Sequence, residues 1–124
     1  MKKLWVLCLV ITCFGCSQSD RGTVSARIRQ LKHRDPFVRR TAAMALGDLG
    51  PEGAEAIPSL CAALDDPDPD VRRQAANALG QIGAGAAVPR LVRALEDENE
   101  LVRNSAGQAL RDIDPAEAVR TGVR

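Results

Sequence analysis

His33 is the one histidine in the chain, which removes paired-histidine metal ligation and leaves a lone loop imidazole whose ordinary state is solvated. Asp65, Asp66, Asp68 and Asp70 have the density of a calcium loop. They lack the glycine and distal glutamate that an EF-hand needs, and helix capping accounts for these carboxylates. Gly83-Ala84-Gly85 is not followed by the Gly-Lys-Ser/Thr of a phosphate loop. Arginines recur at Arg39, Arg72 and Arg103, each four residues after a capping residue (Asp35, Asp68, Asn99). At that spacing a guanidinium bonds back to the cap or across to a neighbouring turn. Asp35, Arg39, Asp68, Arg72 and Arg103 are therefore assigned to structure, as a ladder fixing register between units. No catalytic residue, metal ligand or cofactor is expected.

What positions these residues is a repeat. DPFVRRTAAMALGDLG (35–50), DPDVRRQAANALGQIG (68–83) and NELVRNSAGQALRDID (99–114) place Val38, Val71 and Val102 together at spacings of 33 and 31. Ala42, Ala75 and Ala106 align, as do Leu46, Leu79 and Leu110. The preceding pieces VSARIRQLK, AIPSLCAALDD and AVPRLVRALED align Leu31, Leu64 and Leu95. Val71, Ala75, Ala78, Leu79 and Ile82 share a face only at a period of 3.6 residues, so these blocks are helices. Asp35-Pro36 and Asp68-Pro69 are N-cap and first-turn pairs, Asn99 caps without the proline, and Gly50 and Gly83 are stops. Pro58 and Pro89 fall in the first turns of the other helices. Helices of about 10 to 14 residues, alternating at this period, predict an all-α fold, an α-solenoid in which stacked pairs bury what one pair cannot. The alanines let neighbouring helices approach closely.

The block D-P-x-V-R-R-x-A-A-x-A-L-G-x-I-G resembles HEAT repeats, specifically the short HEAT-like repeats named after phycobilisome lyases, over about residues 23–119. The resemblance implies a right-handed solenoid of about three stacked pairs, with units near 23–50, 54–83 and 86–114 and a truncated cap at 115–124. It also implies a concave surface lined by the second helices. The third copy departs from the pattern, with Glu100, Gly107 and Arg111 at the usual Pro, Ala and Gly.

Ahead of the repeats, Lys2 and Lys3 precede an apolar run from Leu4 to Phe14, the layout of an export signal. The run is shorter than the ~20 residues that span a bilayer. Its end, Phe14-Gly15-Cys16, resembles a bacterial lipoprotein signal, so residues 1–15 are expected to be removed, Cys16 lipidated and 16–22 left as a tether; an ordinary cleaved signal and an uncleaved signal-anchor are the alternatives. That resemblance implies a lipid-anchored protein of the cell envelope, on the outer membrane in a Gram-negative source because Ser17 replaces the retaining aspartate. Cys61 then has no partner cysteine, and a buried free thiol is expected.

Loss of Lys2 and Lys3 leaves fifteen basic against sixteen acidic residues, a formal charge of about −1 that gives nucleic acid no electrostatic foothold. On the helical wheel Arg40, Met44, Arg73, Asn77, Gln81, Asn104 and Gln108 point outward from the second helices, and they differ from copy to copy where core positions do not. Asp48 and Asp112 share these rows, and Phe37 and Leu101 are exposed near helix starts. This variation fits an asymmetric protein partner, so the sequence points to a non-catalytic protein-binding module with no small-molecule substrate. The alternative implied by the resemblance is a lyase-like or chaperone role toward a bilin chromophore or its carrier. Export opposes it, as does a mature chain whose single aromatic is Phe37.

Overall fold

The computed structural model describes residues 23–123; the expected signal, tether and Cys16 lie outside the described residues. Within them every regular element is helical. Helix α1 covers 23–30, followed by α2 (Pro36–Asp48), α3 (Ile57–Ala63), α4 (Pro69–Ile82), α5 (Val88–Ala94), α6 (Glu100–Ile113) and α7 (Pro115–Arg120). Helices α3 and α5 form an outer row and α2, α4 and α6 an inner row, with α7 packed on α6. Inner neighbours pack on one another far more extensively than α3 packs on α5.

Local chemistry sets these boundaries. The side chains of Asp68 and Asn99 each accept two backbone N–H groups at the starts of α4 and α6, and Asp35 accepts the N–H of Phe37. Gly83 ends α4 at φ +77°, a left-handed conformation that a Cβ would oppose. The outer helices are shorter than the periodicity predicts. Tight 3-10 turns at Gly50–Ala56 and Gly85–Ala87 lead into seven-residue α3 and α5. Pro58 and Pro89, without an N–H, cannot extend the α ladder back across them.

The core is the expected aliphatic one. Leu46, Leu79 and Leu110 from the inner row meet Leu60 and Leu91 from the outer row, all fully buried with Val71 and Val102. Each contributes roughly 1.5–3 kcal/mol relative to an exposed side chain. Ala78 and Ala109 are buried at the seams between inner helices, but Ala45, aligned with them, is partly exposed. No described helix lies on that side of α2, which also leaves Val38 less buried than Val71 and Val102. Glycine brings the inner helices still closer. A Cβ at Gly47 would lie 2.8 Å from Ala78 Cα, and one at Gly80 would lie 3.0 Å from Ala109 Cα. Arg111 occupies the equivalent position on α6, against which no further inner helix packs among the described residues. There α7 and Val123 pack on α6; Val123 lies 3.0 Å from where a Gly107 Cβ would stand.

Cys61 is free and only partly buried, not enclosed as its isolation in the sequence suggests. Burial raises its thiol pKa, with Arg90 opposing the shift.

Candidate functional site

The arginines, not the exposed ridge, make the most regular polar structure. Arg39 donates from Nε and Nη2 to the two carboxylate oxygens of Asp66 at 2.8 and 3.0 Å, while its Nη1 bonds the carbonyls of His33 and Arg34. Arg72 repeats the arrangement, clasping Asp97 at 2.9 and 3.1 Å and bonding the carbonyls of Asp66 and Pro67. Each fork therefore joins an inner helix to the loop of the following unit, and the aspartate it holds also accepts a backbone N–H of that loop. Both pairs are mostly shielded, with side-chain exposures of 14% and 9% for Arg39 and Asp66, and 9% and 12% for Arg72 and Asp97. Burial alone would raise the Asp97 carboxyl pKa. The N–H of Asn99 and the Arg72 fork outweigh it and hold the group below the usual carboxylate range. Hydrogen bonding to Asp66 similarly raises Arg39.

At the two ends the pattern changes. His33 stands where Asp66 and Asp97 stand; its Nδ1 accepts the N–H of Asp35 as those aspartates accept theirs. Arg103 keeps its Nη1 bonds to the carbonyls of Asp97 and Glu98. No carboxylate among the described residues meets its Nε–Nη2 edge.

The aspartate cluster is likewise occupied in structural contacts. Asp68 caps α4, Asp65 pairs with Arg90 at 2.8 Å, and Asp70 lies 3.4 Å from Arg73 and 3.9 Å from Arg40. Among the described residues no three His, Cys, Asp or Glu side chains are placed to hold a metal ion.

The seven outward residues are divided. Met44, Asn77, Gln81 and Gln108 line one open groove of about 270 Å³ across the inner row, together with Asp48, Asp112 and Gln74. Gln108 is held there, donating to Asp112 and accepting from Arg111, each at 2.8 Å. Arg40 and Arg73 gather beside the groove around Asp70, with the Arg40 guanidinium 5.0 Å from the Phe37 ring centroid. Asn104 lines a different cavity at the end of the stack. Phe37 and Leu101 are well exposed, at 62% and 56%.

Gln74 and Asp97 are absent from the residues singled out by sequence, and Asp66 enters there only within the calcium-like aspartate cluster, given to capping and not to Arg39. Gln74 aligns with Thr41 and Ser105, a position without a constant chemistry. Asp66 and Asp97 do align, and their recurrence was the available signal. In chemical terms the groove offers two carboxylates, four amides and a polarizable thioether. These suit hydrogen bonding to a polypeptide and adaptable packing.

A family model described as HEAT repeats matches residues 5–65 and 57–121. The chain belongs to the HEAT-repeat family. HEAT repeats generally mediate protein–protein interaction. Among solved structures, this HEAT-repeat chain is similar to the crystal structure of an engineered protein, at 27% identity and a TM-score of 0.67. The alignment covers 83% of this chain and 51% of that one, so the repeats here span about half the length of that neighbour. No curated protein matches the chain. Among the described residues no helix is long and apolar enough to cross a membrane.

Proposed function

We propose that this HEAT-repeat protein is a non-catalytic scaffold that binds another protein through the groove of its inner row. The observation that carries this reading is the division of labour on α2, α4 and α6. The recurring leucines, alanines, glycines and arginines are occupied by packing and by the clasps, whereas Met44, Asn77, Gln81 and Gln108 vary and line an open groove. Packing that is closer in the inner row than in the outer row bends a stack toward the inner row, which supports a concave setting for the groove. The short, proline-started units keep the lyase-type HEAT subclass within the same proposal.

Export and anchoring are the second part. Lys2, Lys3, the apolar run and Gly15-Cys16 support removal of residues 1–15 and a lipid on Cys16, which would hold the scaffold at the outer face of a membrane. Mass spectrometry of the membrane-extracted protein tests it. The expected mature chain begins at an acylated Cys16, with the acyl groups lost in Cys16→Ser. An intact Met1 would overturn the anchor and leave the segment from residue 5, where the family match begins, as part of the repeat region.

The groove is tested by photocrosslinking in intact envelopes. A photoreactive residue at Met44 or Asn77 should capture one discrete protein, and the same group at Ala62 on the outer helix α3 should not. Equal capture from both faces, or none from the groove, would sink the reading.

A further inference from the structure

We propose a second binding site, at the end of the stack: the Nε–Nη2 edge of Arg103 is a receptor for an aspartate or glutamate carboxylate carried by a different protein. Repeat symmetry is the basis. In Arg39, Arg72 and Arg103 alike, Nη1 is anchored by two carbonyls of the loop five and six residues earlier. The guanidinium is planar and rigid, so fixing that nitrogen turns the other edge of all three toward the following unit. For Arg39 and Arg72 that edge holds Asp66 and Asp97 with two parallel bonds.

What should fill the third place is readable from register. Pro58, Pro89 and Pro115 stand in the first turns of α3, α5 and α7, and the residue eight positions later is Asp66, Asp97 and Val123 respectively. At the third, valine replaces the acid. Gly122, at φ +78°, turns the chain so that the Val123 N–H bonds Ala118 O and the side chain covers Gly107. The carboxylate position is left as an open cavity of about 320 Å³ lined by Leu95, Arg103, Asn104, Gly107, Arg111 and Val123. Among the described residues no acid lines it, and the open Nε–Nη2 edge of Arg103 makes the site select negative charge. Leu95 and Val123 add apolar walls for the stem of an acidic side chain.

The occupant is a different chain, not a second copy. Head-to-tail stacking of copies would bring His33, flanked by Lys32 and Arg34, to the place where an aspartate is needed. Arg103 would then meet an imidazole between two cations instead of a carboxylate. The geometry fits an acid in a turn just ahead of a helix, since that is how Asp66 and Asp97 are presented. This site does not depend on the groove, and the two are probed at different residues.

The test places a photoreactive residue at Asn104 in the full chain, in its native envelope, and identifies the crosslinked residue by mass spectrometry. The expected product joins Asn104 to another protein within a few residues of an Asp or Glu. Arg103→Gln should lower the yield by about tenfold or more, the scale of removing one partner of a shielded ion pair. Arg103→Lys should also lower it, because an ammonium keeps the charge and loses the fork. Val123→Asp, which leaves Arg103 in place, should compete by supplying an internal carboxylate. Crosslinks to the same chain, to a second copy, to lipid or to a segment without acids would overturn the proposal. So would a yield indifferent to all three substitutions, or no crosslink.

Discussion

At the scale of single residues, small side chains have opposite meanings at different places. Gly47 and Gly80 lie inside helices, where glycine is worse than alanine by about 0.5–1 kcal/mol. Both are nonetheless pressed against the backbone of the next inner helix. Gly47→Ala is expected to destabilise by about 1–3 kcal/mol, since a Cβ 2.8 Å from Ala78 Cα forces two backbones apart and the propensity gain is smaller. Gly85→Ala is the control: nothing stands within 4 Å of its Cβ position and its φ is not left-handed. It should be neutral or stabilise by up to about 1 kcal/mol through the unfolded chain. Urea unfolding of the two variants checks the contrast. A sequence pattern shows that alanine and glycine recur, yet not which glycine touches a neighbour. Arg111, standing where Gly47 and Gly80 stand in the other copies, was the informative departure, since no other inner helix among the described residues packs on it.

Among the elements, the ladder turns a column of equivalent arginines into an ordered series with two filled positions and one open one. Removing one partner of a shielded pair exposes the other to the full desolvation penalty. Arg72→Ala should therefore lower stability by about 3 kcal/mol, whereas Arg103→Ala, which loses only bonds to its own loop, should cost about 1 kcal/mol. Thermal unfolding of both in the same buffer measures the difference, and equal losses would mean that the clasps add nothing. This hierarchy was half legible beforehand. The constant spacing of Arg39, Arg72 and Arg103 from their caps marked them as structural. Their true acceptors lie 25 to 27 residues away in the next unit, a distance no local spacing rule reaches. The helices themselves were legible because caps, prolines and stops are local signals. The shortness of α3 and α5 was not, since 3-10 turns and α-turns share the same apolar positions.

For the molecule as a whole, a stack whose units touch only their neighbours is as strong as its seams, and each seam has an apolar part and an ionic part. Its apolar part was foreseeable from periodicity, and so was the outward set, whose split into a groove, an Asp70 cluster and an end cavity needed three dimensions. The ionic part makes stability depend on pH in a definable direction. Asp97 has a folded pKa below its unfolded value of about 3.9. Its contribution is therefore complete above roughly pH 5 and is lost as pH falls through the folded value, because the unfolded state takes up the proton first. Asp97→Asn retains an oxygen for the Asn99 N–H but cannot hold the Arg72 fork as an ion pair. At pH 6 the variant should be less stable by about 2–3 kcal/mol. In acid, as pH falls through that folded value, the two proteins should converge, because the native carboxyl then loses its charge as well. Urea midpoints at pH 6 and in acid decide the matter: a gap that stays constant, or widens toward acid, would show that the seam between α4 and α6 is held by packing alone.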